Sequence, residues 1–250
     1  MKVTAFTNNG GIRDHNEDAI VLSDRIIAKI SMSLPKEIEI GAEGRCFAVI
    51  DGMGGYKGGE TAARLTALSF SKNASGWNIT AQNAKNRLTR ILKLAGQLIA
   101  RAAQQNTDLA SMGAAIAGIV LCSDAVLIFN CGDCRVYRRQ GEYLEKLSHD
   151  HSLVQELYDR GELDEDGMRH HPQKNVITAC VSSREEDTDI FFRTVPIKKV
   201  PQQFLICSDG VWEALSIDYI EKSTPSGVAN SLLSLKEKCK DNVSYITIEL

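Results

Sequence analysis

The chain has 250 residues, 43% of them hydrophobic and 24% charged, with a net charge of −3. That is the composition of a soluble globular protein with a sizeable core, and it gives no electrostatic basis for nucleic acid or an anionic membrane as the main partner. The opening residues, MKVTAFTNNG, lack the apolar core of a secretory signal.

In chain order, Val3–Phe6 reads as a short alternating strand closed by a turn at Asn8-Asn9-Gly10-Gly11. The polar cluster Arg13-Asp14-His15-Asn16-Glu17-Asp18 then runs straight into the apolar strand Ala19–Leu22. Solvated charge is the ordinary reading, but the buried strand next to it puts at least one of Arg13, Glu17 and Asp18 at a sheet rim. Two short runs follow, Ile26–Ala28 and Glu37–Ile40, and these are expected to pair as a hairpin about Leu34-Pro35.

The apolar run Phe47–Ile50 ends in Asp51, and five of the next eight residues are glycine. Helix-compatible sequence follows from Glu60 to about Ala74. A Walker-type phosphate cradle is ruled out, because Lys57 is followed by Gly58 rather than Ser or Thr. Two readings of this stretch remain. One is a metal site, with the Asp51 carboxylate and a bare glycine carbonyl offering hard oxygens to Mg²⁺ or Mn²⁺. The other is a tight turn with an Asp cap.

A second helix starts near Thr80, with Ala84, Leu88, Ile91, Leu92, Ala95, Leu98, Ile99 and Ala102 on one face. Its basic face, Lys85, Arg87, Arg90 and Arg101, reads as solvated. Met112–Gly132 is apolar enough to mimic a membrane span, but Ser123-Asp124 at its middle splits it into the two strands of a buried hairpin. Arg135–Arg138 and Glu142–Lys146 extend that hairpin into a β-meander. Ser148–His171 is polar and partly helical, a surface excursion. Strands at Ile190–Val195 and Gln203–Ser208 follow. A helix then begins at Thr224-Pro225 and carries Val228, Leu232, Leu235 and Cys239, and the last strand is Val243–Ile248. No repeat or linker divides the chain, so one mixed, mostly antiparallel α+β domain over residues 1–250 is expected.

The seven cysteines are an odd number, set mostly in strand-like runs, and read as buried hydrophobes in a reducing compartment. Cys131-x-x-Cys134 has no second pair for zinc and no thioredoxin-like surroundings. The acids form a clearer pattern. Asp51, Asp133 and Asp209 each follow an apolar run, Asp241 precedes one, and Glu17-Asp18 lead into another. A single such acid is a turn former. The whole set points to an oxygen-rich pocket for two hard divalent ions, since acids so close repel unless neutralised.

Five signatures occur in order: R-x-x-N-E-D (Arg13–Asp18), D-G-M-G-G (Asp51–Gly55), G-D-x-R (Gly132–Arg135), S-D-G (Ser208–Gly210) and D-N (Asp241-Asn242). Together they resemble the metal-dependent protein phosphatase family of the protein phosphatase 2C type, in its compact bacterial branch. Leu147–Val154 and His171–Thr178 are similar to that branch too. The resemblance spans essentially the whole chain. It implies a four-layer αββα fold, a central β-sandwich of two antiparallel sheets flanked by helices. It also implies a serine/threonine protein phosphatase that hydrolyses phosphoserine and phosphothreonine monoesters by in-line attack of a metal-bridging hydroxide.

Carried over residue by residue, Asp51 would bridge two Mn²⁺ or Mg²⁺ ions and the Gly52 carbonyl would bind one of them. Asp209 and Asp241 would bind the other. Glu17 and Asp18 would hold metal-bound waters, Arg13 would grip the phosphate, and Asp133 with Asp209 would support a third, weaker ion. Met53 stands where animal-type relatives carry a histidine, the candidate general acid. A thioether has no proton to give, so metal-bound water is expected to protonate the leaving group. His15 reads as a surface histidine, and Glu213 either assists the third ion or faces solvent near Trp212.

The implied partners are phosphorylated proteins, with a Ser/Thr kinase as counterpart, in a bacterial cytoplasm. A monomer is favoured, and residues 148–172 form a variable flap. Rival phosphatase chemistries lack their residues: no cysteine has an arginine six positions on, and no G-N-H run exists. A non-catalytic phosphoprotein-binding module of the same fold is the alternative from another class. Retention of Asp51, Asp209 and Asp241 favours the enzyme.

Overall fold

The computed structural model describes residues 1–40, 45–55, 57–71, 78–184, 188–198, 201–223, 225–234 and 239–250. Its strands are β1 (Lys2–Asn8), β2 (Ala19–Leu22), β3 (Arg25–Ala28), β4 (Lys36–Glu39), β5 (Cys46–Met53), β6 (Gly113–Leu121), β7 (Val126–Cys131), β8 (Arg135–Gln140), β9 (Tyr143–Lys146), β10 (Val181–Ser182), β11 (Phe191–Val195), β12 (Gln203–Cys207) and β13 (Val243–Glu249). Its α-helices are α1 (Gly58–Ser71), α2 (Ala81–Gln105), α3 (Leu153–Asp159), α4 (Glu165–His170), α5 (Asp209–Ala214), α6 (Ile217–Lys222) and α7 (Pro225–Ser234). No described helix is long and apolar enough to cross a membrane.

Two sheets result, one ordered β4-β1-β13-β12-β8-β9 and the other β11-β7-β6-β5-β2-β3, with β10 against β6. Every described strand pair is antiparallel. The sheets face each other across a dry layer that includes Val3, Ala5, Ile20, Phe47, Val49, Ile206 and Ile246. α1 and α2 cover the outer face of the second sheet, where Phe70, Leu88 and Leu92 pack on Val21, Ala48 and Ile50. Val211 and Ile220, from α5 and α6, with Val228 and Leu232 from α7, cover the first sheet over Phe6, Leu205 and Tyr245. This is the αββα order of layers. It explains why Phe47–Ile50 is apolar without alternation: both faces of the second sheet are covered.

α2 starts at the N-cap Thr80, whose side chain accepts a hydrogen bond from the Asn83 backbone N–H. Gly58 opens α1 two residues before the expected Glu60, and the expected end near Ala74 lies outside the described residues. All seven cysteines are free thiols. Cys131 and Cys134 belong to different hydrophobic layers, one under α2 and one between the sheets.

Four expectations need correction. The runs near Ile26 and Glu37 do not pair with each other. β3 folds back on β2 through Ser23-Asp24, whereas β4 adds to β1 in the other sheet. Ser23 takes a left-handed conformation (φ 61°), which lets so short a connection close. The meander is also broken, because β7 and β8 lie in different sheets. The chain crosses between them at Gly132 (φ 105°), where a Cβ would run into Ala115. The excursion Ser148–His171 is not all surface, since Ser148, Asp150 and Ser152 are buried. Asp150 accepts hydrogen bonds from Arg135 Nε (2.8 Å) and Nη2 (2.7 Å), and the same guanidinium stacks 3.5 Å over the Trp212 ring. Its later part, from Gly161 through α4, is half-buried or exposed, as expected. Finally, Cys239 lies beyond α7 rather than on it, and Leu235 lies outside the described residues.

Candidate active site

The inner faces of the sheets change character at one end. Following the period-two alternation, Val3 and Ala5 give way to Thr7, Leu22 and Ile20 to Asp18, and Phe47 and Val49 to Asp51. On the first sheet, Phe204 and Ile206 give way to Ser208, and Ile248 and Ile246 to Ser244. The polar rows of both sheets therefore meet at the same mouth of the sandwich.

A relay of side chains holds Asp18 there. Asn16 Nδ2 donates to Thr7 Oγ1 (2.7 Å), and Thr7 Oγ1 lies 2.7 Å from Ser244 Oγ. Ser208 Oγ donates to Asp18 Oδ2 (3.0 Å) and accepts from the Ser244 backbone N–H (3.0 Å). Asn242 fastens the opposing loops: its Oδ1 accepts from Glu17 N (2.8 Å), and its Nδ2 donates to Asn9 O (3.2 Å) and His15 O (2.9 Å). Thr7, Ser244 and Asn242 were not picked out individually from the sequence. Asn242 belongs to the D-N signature, and Ser244 stands two residues further on, at the start of β13.

Asp51 and Asp209 face one another closely enough for each to bear on the other's ionisation. Burial, then the charges of Asp18, Asp209, Asp133 and Asp241, push Asp51 well above the usual carboxylate range. Burial is also the leading cause at Asp18, pushed up to about 7, and at Asp209, pushed up to about 6. Asp133 is raised by burial and then by Asp209 and Asp150. Glu17 is half-buried and raised chiefly by desolvation. Asp241 accepts from Arg13 Nη2 (2.7 Å).

Asp51, Asp18, Asp209, Asp133, Asp241, Glu17 and Arg13 are thus brought into one electrostatic neighbourhood. Glu213 stands at the edge of this group, where its charge helps to raise Asp209 while it accepts from Lys174 Nζ (2.7 Å), and His15 is exposed. Met53 ends β5 with its side chain against the inter-sheet core.

The arrangement fits hard cations. Asp18 Oδ1 and Asp209 Oδ1 are buried without a hydrogen-bond partner, and every side-chain donor in the group is oxygen. Among the described residues, no group of three or more His, Cys, Asp or Glu side chains is already arranged to hold an ion. Hard cations such as Mg²⁺ commonly complete their shell with water and need only one or two carboxylates. The cysteines offer no competing chemistry, since burial pushes the Cys122 and Cys207 thiols up to about 11 and about 12.

A pH dependence of stability follows. In the unfolded chain these carboxyls titrate near 4. In the folded chain Asp209 and Asp18 hold protons until about 6 and about 7. Between roughly pH 4 and 7 the folded state binds more protons, so stability falls as pH rises through that window. A divalent ion binds the ionised form and opposes the loss. Thermal unfolding in EDTA should therefore give a Tm that drops from pH 5 to pH 8, and the rise on adding Mn²⁺ should be larger at pH 8. A Mn²⁺ shift equal at both pH values would contradict this origin.

The sequence profile of the protein phosphatase 2C family matches residues 36–238. The serine/threonine phosphatase stp of Listeria welshimeri is 27% identical over 258 residues, covering 97% of this chain and 93% of that one. The solved structure of the Streptococcus agalactiae serine/threonine phosphatase (S. agalactiae) superposes with a TM-score of 0.80 at 22% identity, covering 99% and 98% of the two chains. The catalytic domain of the serine/threonine protein phosphatase PstP, solved in complex with two manganese ions, superposes with a TM-score of 0.73 at 21% identity over the full length of both.

Proposed function

This chain belongs to the protein phosphatase 2C family, and on that premise we propose that it is a metal-dependent serine/threonine protein phosphatase. Its substrates are phosphoserine and phosphothreonine monoesters in proteins phosphorylated by a Ser/Thr kinase. Residues 1–250 act as one catalytic domain, with 148–172 as its flap. The observation that carries the reading is the gathering of Asp18, Asp51, Asp133 and Asp209 from both sheets beside Asp241, with the ionisation of the first four opposed by burial and by neighbouring acids. Such a group is costly unless cations complete it.

Asp51, the Gly52 carbonyl, Asp209 and Asp241 would hold a pair of Mn²⁺ or Mg²⁺ ions, Glu17 and Asp18 their waters, and Asp133 with Asp209 a third ion. Bound there, two such ions supply a hydroxide at neutral pH for in-line attack on phosphorus. Arg13 serves the phosphate. Its guanidinium pairs with Asp241 at 2.7 Å, and the donors of its five-donor fork not used by Asp241 would take phosphate oxygens and the charge that develops on them. Met53 cannot protonate the leaving group, which leaves that proton to water.

The test is hydrolysis of a phosphothreonine peptide with EDTA or Mn²⁺. Activity should appear only with Mn²⁺. Mn²⁺-independent turnover would remove the metal mechanism, and peptide binding without turnover would make the chain a non-catalytic reader of phosphoproteins.

A further inference from the structure

Three large aliphatic side chains stand in solvent on the two loops that flank Arg13: Ile12 (59% exposed), Ile30 (44%) and Leu34 (61%). Single exposed aliphatics need no explanation, but these loops are held in place. The Asn9 backbone N–H donates to Ser31 Oγ (2.8 Å), Ser31 Oγ donates to Asn9 Oδ1 (2.7 Å), and Asn9 Nδ2 donates to the Arg13 carbonyl (2.6 Å). Asn16 Nδ2 donates to the Ile30 carbonyl (2.7 Å). Lys29, just before Ile30, sits in the left-handed region (φ 62°) and is tied by an ion pair to Glu60 on α1. These bonds fix the backbone that presents Ile12 and Ile30, and a left-handed residue of this kind is found where a surface is held ready for a ligand.

We propose that this rim reads the residue next to the phosphorylated side chain, and that it selects phosphopeptides with a large apolar residue there. The inference rests on the phosphatase reading, in which Arg13 grips the phosphate. An extended peptide advances roughly 3.3–3.6 Å per residue, so its next residues must lie close to Arg13, with Ile12 and the laced loop on one side and the exposed Asp14 and His15 on the other. The loop from Ile30 to Leu34 reads ISMSL and carries no charge. It has nothing to pair with an acidic or basic neighbour and apolar area to offer an aliphatic one. The occupant is thus the substrate chain itself, continuous with the site that holds its phosphate.

The experiment compares two phosphothreonine peptides, flanked by leucine or by serine, with each rate referred to hydrolysis of p-nitrophenyl phosphate by the same variant in Mn²⁺. The wild-type chain should prefer the leucine-flanked peptide by about tenfold in kcat/KM. Ile12→Ser and Ile30→Ser should each cut that preference about threefold or more, and the double variant should abolish it. Equal kcat/KM for the two peptides in wild type overturns the proposal, as does a preference that survives the double variant. A change only in sedimentation of Ile12→Ser, with the preference intact, would assign the patch to contacts between copies and equally overturn it. Failure of wild type to hydrolyse p-nitrophenyl phosphate with Mn²⁺ is a separate result, and it would remove the phosphatase reading along with this one.

Discussion

Asp51→Asn should lower Mn²⁺-dependent kcat/KM on a phosphopeptide by about 10³-fold or more, while the metal-free protein becomes more stable. The two effects have one cause. Asp51 lies where burial and four neighbouring acids disfavour its charge, so its carboxyl is raised far above the unfolded value. Above about pH 4 the unfolded chain ionises while the folded chain resists ionising, which weakens folding. Asparagine has nearly the same shape and no proton to lose, so the substitution removes that penalty along with the charge a cation would need. The stabilisation should grow as pH rises from about 4 toward 8 and should vanish as pH falls toward about 4, where the unfolded carboxyl is itself protonated. Each kcal/mol gained should raise Tm by roughly 2–4 °C in a chain of this size. A variant that keeps its activity, or a metal-free Tm that falls, would show that Asp51 is an ordinary turn residue.

Gly52→Ala should be nearly as damaging, for steric rather than electrostatic reasons. A Cβ on Gly52 would land on the Gly59 carbonyl and 2.7 Å from the Glu17 carbonyl oxygen. Both obstacles are backbone, so no rotamer relieves the clash. The end of β5, the start of α1 and the segment that carries Glu17 and Asp18 would have to separate. About 2–4 kcal/mol of destabilisation is expected, with a Tm lower by roughly 4–16 °C. Activity should fall about 100-fold, because small displacements of ligands and reacting groups cost that much. Gly55→Ala is the control. Gly55 has φ 70° but open space where a Cβ would go, so only the left-handed penalty of about 1–2 kcal/mol applies. Equal Tm values for the two variants would show that close backbone approach does not govern this junction.

The acids at the sandwich mouth were legible because period-two alternation carries a face past the end of its apolar run. Val49 points inward, so Asp51 does, and Ile20 places Asp18 in the same way. What alternation cannot tell is the neighbour. It assigns a residue to a face and leaves open which strand, and which sheet, pairs with it. That is why β3 and β4 were expected to join and instead went to different sheets, and why the crossing at Gly132 passed for a turn in a meander. The relay Asn16–Thr7–Ser244–Ser208–Asp18 escaped for a related reason. Its members lie up to 237 positions apart, and a hydroxyl on a strand looks the same whether it faces water or a buried carboxylate.

The paired polar rows also set a gauge. Asp18 and Asp51 ride on one sheet, while Asp209 and Asp241 hang from the other. The gap between these two sets of acids is therefore set by the girth of aliphatic side chains deeper in the sandwich, such as Val49, Ile206 and Ile246. On the proposed metal-site reading, oily residues that touch no ion would act as its spacers, and the width of the hydrocarbon filling would bear on which radius of metal the mouth takes.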